Sequence, residues 1–111
     1  MDRIPTWQEM LEEAKDVTSV VALANEHLAR LSPAELALLP PECQPYPLHT
    51  AIDVNVYAMT LVRCRSTDPR TVTLVQRTMA FLFECANRLA HLTGPAREID
   101  QRTWEQRSEA A

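Results

Sequence analysis

The sequence predicts an all-α protein, a compact bundle of five or six helices built around a long antiparallel hairpin over residues 48–92. Three observations point that way. Glycine occurs once in 111 residues, at Gly94. Glycine is what lets backbone take φ > 0 or press against a phosphate. Glycine-turned β-hairpins, P-loops, dinucleotide fingerprints and nucleophile elbows are therefore excluded. The eight prolines stand almost entirely at the ends of helix-like stretches, where a missing N–H does little harm. Apolar residues make up 46% of the chain and recur at helical spacing.

The first helix opens at Thr6-Trp-Gln-Glu9, a capping-box pattern directly after Pro5, and runs about ten residues with Trp7, Met10, Leu11 and Ala14 as its apolar side. Thr18 or Ser19 is expected to recap the chain after a bend. Val17, Val20, Val21, Ala24, Leu28 and Leu31 then trace an amphipathic second helix, with His27 inside its apolar arc. Ser32-Pro-Ala-Glu35 is another capping box, with proline at the first helical position, and starts a short third helix to about Leu39. Pro40, Pro41, Pro45 and Pro47 impose an extended linker, the expected hinge.

Leu48 to Cys64 reads as a fourth helix. Val54-Asn-Val56 alternates like a strand, yet nothing nearby could pair with it. Its apolar arc would enclose Asn55, while His49, Asp53, Tyr57 and Thr60 would share its polar face. Asp68-Pro69 begins the fifth and longest helix, which is expected to end at Leu92-Thr-Gly94-Pro95 with glycine just past the last turn. On this helix one apolar stripe holds Val72, Val75, Met79, Leu82, Phe83, Ala86 and Leu89. A second stripe beside it holds Leu74, Phe81, Cys85 and Leu92. Together they cover roughly 200°, about twice what facing a single core requires. The helix is therefore either central or has an apolar face free for a partner. A polar tail follows, and Ile99 and Trp104 could support a sixth helix.

The domain organisation expected is one helical domain over 1–111. An acidic helical part covers 1–39, the proline-rich linker 40–47, the helical hairpin 48–94, and the tail 95–111. A chain of this length buries roughly 65% of its unfolded surface, enough for a core without staples. Cys43, Cys64 and Cys85 are an odd number with no CxxC, which argues against a disulfide framework, a zinc ribbon or c-type haem. Three free thiols are expected. Cys64 and Cys85 would lie too far apart along the hairpin to bridge, so only Cys43 could approach Cys85. The amino terminus has no apolar leader region and no run long enough to span a membrane, so a cytoplasmic location is expected. Ten Arg against one Lys, with abundant Ala, suggests a GC-rich bacterial genome, or a phage or plasmid within one.

Net charge is −4 and unevenly placed. Residues 1–47 carry eight acids against three bases, whereas 48–94 carry five Arg against three acids. An acidic half weighs against nucleic-acid binding, which rests on neutralising phosphates. The charged residues of the fifth helix, Arg77, Glu84 and Arg88, would pair around an exposed Phe81, an Arg-flanked aromatic of the kind that anchors interfaces. The i, i+4 pair His49 and Asp53 could form an acid–base couple, with Tyr57 beside it, but no nucleophile or oxyanion loop accompanies it. Glu9, Glu12, Glu13 and Asp16 form an acidic side on the first helix, suited to a basic partner. No catalytic residues, metal ligands, cofactor or small-molecule ligand are expected.

The leading expectation is a small interaction or regulatory protein, an adaptor or an inhibitor such as a mobile element encodes, acting by occupying a surface of a macromolecular partner. A homodimer is the other partnership the sequence allows. The alternatives are a helix-turn-helix DNA-binding regulator, with the 65–68 turn leading into Arg70, Thr73 and Arg77, and a small enzyme using His49 and Asp53.

Overall fold

A computed structural model describes the backbone of residues 4–110 and the side chains through Thr93. Its elements are α1 (Trp7–Glu13), α2 (Val17–Ala29), α3 (Pro33–Leu38), a single 3₁₀ turn (Pro41–Cys43), α4 (Ala51–Val62) and α5 (Pro69–Ala110). The described residues are all-helical with no strand, and none takes positive φ. That suits a chain with one glycine: α1 and α3 end on extended residues, Ala14 and Leu39, and α2 and α4 on Arg30 and Arg63 in the αR region.

Local side-chain bonds fix the helix starts. The Thr6 hydroxyl accepts the Glu9 N–H at 3.1 Å, and donates to the Glu9 carboxylate at 3.2 Å. Ser32 and Glu35 close a full capping box at the head of α3. The start of α2 differs from expectation: Asp16, not Thr18 or Ser19, is the cap, its carboxylate accepting the Ser19 N–H at 2.7 Å. The start of α4 differs too. Thr50 and Asp53 form a capping box there, so the helix begins at Ala51 and His49 lies outside it.

Helix α5 is the centre of the fold, in contact with all four other α-helices, while α4 also packs on α2 and on the 3₁₀ turn. Its central position explains the wide apolar arc. The two stripes sort in a way the sequence did not indicate. Leu74, Phe81 and Cys85 are buried, whereas Phe83 of the other stripe is 42% exposed. Two buried threonines complete the inward face of α5. The Thr78 hydroxyl donates to the Leu74 carbonyl, and the Thr71 hydroxyl reaches across to the Leu38 carbonyl at the end of α3.

Helix α5 does not stop at Gly94 as expected. It continues through Pro95 to Ala110, because Gly94 takes no left-handed conformation and the following stretch is rich in helix-forming Arg, Glu, Gln and Ala. No separate sixth helix exists among the described residues; the expected roles of Ile99 and Trp104 fall on side chains outside them.

The proline segment expected as a hinge is held at several points. Cys43 and Leu48 are buried, Gln44 donates to the carbonyls of Leu36 and Leu39, and the Tyr57 hydroxyl donates to the Cys43 carbonyl at 2.7 Å. Asn25 of α2 completes the attachment: its amide donates to the Leu48 carbonyl at 2.8 Å and accepts the Leu48 N–H at 2.9 Å. Buried polar backbone must find such partners when no helix or strand supplies them.

Candidate functional site

Four helical positions on α4 face solvent with apolar side chains: Ile52 (71% exposed), Val56, Met59 and Val62. Spacings of four, three and three residues put them on one side of the helix. The opposite side, Val54, Tyr57, Ala58 and Leu61, is buried against α5 and α2. Asn55 falls among the outward positions. Contrary to expectation it is exposed, its amide donating to the Ala51 carbonyl at 3.0 Å. Asp53 is the helix's one charged residue, and its carboxylate is committed to the amino-terminal cap. The outward face of α4 is thus an apolar stripe without charge. Scattered exposed apolar residues are ordinary on a protein surface, but a continuous stripe on one helix is not.

The residues expected to make a binding surface on α5 are distributed differently. Phe81 is buried, 6% exposed, because α1 and α2 cover the side of α5 that the hydrophobic pattern left open. Its ring stacks on the His27 imidazole at 4.1 Å between centroids and meets Trp7 edge-on at 5.3 Å. Trp7 also meets His27 edge-on and carries the Arg30 guanidinium over its face at 4.8 Å. Such cation–π contact orients the guanidinium without a carboxylate.

Arg77, Glu84 and Arg88 do not pair around Phe81. Arg77 holds Glu35 of α3 in an ion pair, and the Ser32 N–H donates to the same carboxyl. The Ser32 N–H and the Arg77 guanidinium together keep the Glu35 carboxyl below its ordinary range. Arg88 turns the other way and donates to the carbonyls of Ala14 (2.7 Å) and Glu12 (3.0 Å). It thereby satisfies the orphan carbonyls at the end of α1. Glu84 and Arg88 line a shallow groove between α1 and α5 with Glu12 and His91. Glu12 and Glu13 are exposed, while Glu9 is half-buried beside the Thr6 cap.

The proposed acid–base face on α4 is also rearranged. Asp53 accepts the backbone N–H groups of His49 (2.8 Å) and Thr50 (3.0 Å), which lower its pKa, the His49 bond foremost. Its carboxylate therefore serves the backbone of His49. Tyr57, expected on the polar face, is fully buried, and burial pushes its phenol pKa upward. Arg70, one of the cations a DNA-binding arrangement would aim at phosphate, pairs with Asp68, as Arg77 does with Glu35.

His27 titrates below its ordinary value, chiefly because burial disfavours the charged ring, with Arg77 and Arg30 adding repulsion and Glu35 partly opposing. A cleft of about 500 Å³ opens where α2 and α3 meet the proline segment, lined by Leu28, Leu31, Leu36, Gln44 and Tyr46 among others. Among the described residues, no helix is long and apolar enough to cross a membrane, and no group of three or more His, Cys, Asp and Glu converges as a metal set would. Sequence reasoning missed Asn25 and the solvent-facing α4 stripe. The stripe was visible as apolar residues, but which part of a wide arc faces outward depends on the neighbours. Compared with known proteins, the chain matches no family model, no curated protein and no solved structure.

Proposed function

We propose that this chain is a small protein-interaction protein, an adaptor or inhibitor, and that the outward face of α4 is the surface it presents to a protein partner. One observation carries the proposal: Ile52, Val56, Met59 and Val62 stand exposed in helical register on a helix whose only charge is used in its own cap. Apolar surface of this kind gains from being covered, at roughly 25 cal/mol per Å² removed from water. The rest of the fold supports it. Residues behind the stripe are buried and α4 is capped at its amino end, so the face is presented on a rigid element.

The partner suited to this face offers an apolar groove or helix with few charges, because a charged counterpart would lose water without gaining a pair. The acidic first half of the chain then serves solubility and steering more than contact.

A double variant, Ile52→Glu with Val56→Lys, tests the proposal. It adds one charge of each sign to an exposed surface and should leave thermal unfolding within a few degrees of the parent. Binding to the partner, or self-association in sedimentation velocity, should fall at least tenfold. A double variant that keeps partner binding and association state intact overturns the proposal. A large loss of stability would show instead that the stripe is covered within the chain itself.

A further inference from the structure

We propose that the outward face of α4 is covered by the same face of a second copy of this chain, the two helices running antiparallel across a two-fold axis. The inference rests on the reading of that face as a protein-binding surface, and names its occupant.

The seam carries its own symmetry. Arg63 caps α4 in the αR region, so it continues the helical register of the exposed residues. Ile52, Val56, Met59 and Arg63 are all exposed, and follow one another at spacings of four, three and four residues, the alternation of a coiled-coil seam. That order of spacings is the same in both directions. A two-fold axis crossing α4 between positions 57 and 58 therefore sets Val56 against Met59 of the second copy, and Ile52 against Arg63 of the second copy. Every such contact occurs twice, as a self-complementary interface requires.

Charge selects the antiparallel arrangement. Among the described residues no ion pair engages Arg63. In a parallel pair the two Arg63 side chains would meet at one end, like against like. Antiparallel packing instead brings each Arg63 level with Ile52 and Asp53 of the other copy. Both backbone bonds of the Asp53 cap go to its Oδ2, which leaves Oδ1 to accept from a guanidinium. The polar flanks do not oppose the contact. The Asn55 amide and the Thr60 hydroxyl each donate to the carbonyl one turn back, at 3.0 Å. The twelve residues of α4 make only about three turns, so the contact is small and the dimer should be weak and concentration-dependent.

The test is sedimentation velocity of the full-length chain from low micromolar to near-millimolar concentration, where a monomer–dimer equilibrium should appear. Val56→Lys places two cations beside the axis and should weaken association about tenfold or more. Ile52→Lys, facing Arg63, and Arg63→Glu, facing Asp53, should each weaken it by a similar factor. Combining Ile52→Lys with Arg63→Glu pairs the new charges across the axis and should restore most of the loss. Positions 52 and 63 of one chain lie about 16 Å apart along the helix, so that recovery must come from between chains.

Cross-linking checks the register in a Cys64→Ala background, which leaves only the buried Cys43 and Cys85 as native thiols. At 1.5 Å per residue the two copies of position 56 are offset by about 4.5 Å, and those of position 52 by about 16 Å. Val56→Cys should therefore form a disulfide with itself under mild oxidation, and Ile52→Cys should not. A chain that stays monomeric at every concentration overturns the second copy as occupant. The wider reading of the face falls only if charges placed there also leave the binding of other proteins intact. A dimer that Val56→Lys does not weaken overturns both. A charge exchange that restores nothing, or cross-linking through position 52, overturns the antiparallel register. Circular dichroism and thermal unfolding of each variant separate an altered fold from altered association.

Discussion

The imidazole of His27 lies flat on the ring of Phe81, 4.1 Å between centroids and 16° from parallel. This contact joins α2 to the middle of α5 and, with Trp7 edge-on to both rings, brings α1 into the same cluster. Phe81→Ala should therefore behave as a core truncation and cost about 3–5 kcal/mol. Phe83→Ala, at an exposed position, should cost under about 1 kcal/mol. Urea unfolding of the two variants measures the difference. Equal losses would mean that Phe83 is covered in solution.

The stack also gives stability a pH dependence with a definite sign. His27 has an ordinary pKa of 6.5 and a lower one when folded, chiefly from burial. Between those two values the unfolded chain binds more protons, so stability rises with pH. The contribution is complete above the unfolded value. It is lost as pH falls through the folded one. The melting temperature should drop between pH 8 and pH 5, and the His27→Phe variant should show a shallower slope over that interval. An unchanged slope would mean that His27 does not titrate differently on folding.

Much of the architecture was legible in the sequence because its signals are local. The capping box at Ser32, the side-chain cap at Thr6, the proline at the head of α3 and the repeat from Val17 to Leu28 depend on residues within a turn or two of one another. Side-chain destinations were not legible, because they depend on which helices cover which face. The pattern of α5 could not tell Phe81 from Phe83, since both belong to apolar stripes and the choice is made by Trp7 and His27 from other helices. The α4 capping box was missed because the helix was read as starting at Leu48, with Thr50 inside it and Asp53 on its polar face. The Gly94-Pro95 stop signal was overridden by the run of helix formers beyond it.

Asn55, expected inside the apolar arc of α4, bonds the Ala51 carbonyl one turn back on an exposed face. Asn25, not Asn55, makes the long-range bonds, gripping both backbone groups of Leu48. Asn25→Ala leaves a half-buried N–H and carbonyl without partners and should cost about 1–3 kcal/mol. Asn55→Ala removes only a bond to the preceding turn at the surface and should stay within about 0.5 kcal/mol of the parent. Denaturant midpoints of the two variants give the comparison directly. A larger loss for Asn55 would place it at an interface.

Helix α1 is short, and only Leu11 of its residues is buried, so its docking should depend on a few attachments. Arg88 supplies the strongest polar one, reaching from α5 to the carbonyls of Glu12 and Ala14 where α1 ends. Hydrogen bonds from a charged donor contribute about 1.5–3 kcal/mol, and losing this donor leaves the carbonyls to water. Arg88→Ala should therefore speed amide exchange across Trp7–Glu13 while leaving α2, α4 and the packed first half of α5 protected. Arg77→Ala is the matched control. It breaks the Glu35 ion pair at the surface of α3 and should leave exchange in α1 unchanged. If the two variants loosen α1 equally, the carbonyl contacts of Arg88 are not what holds it. The Trp7 cluster with His27 and Phe81 would then be its principal anchor.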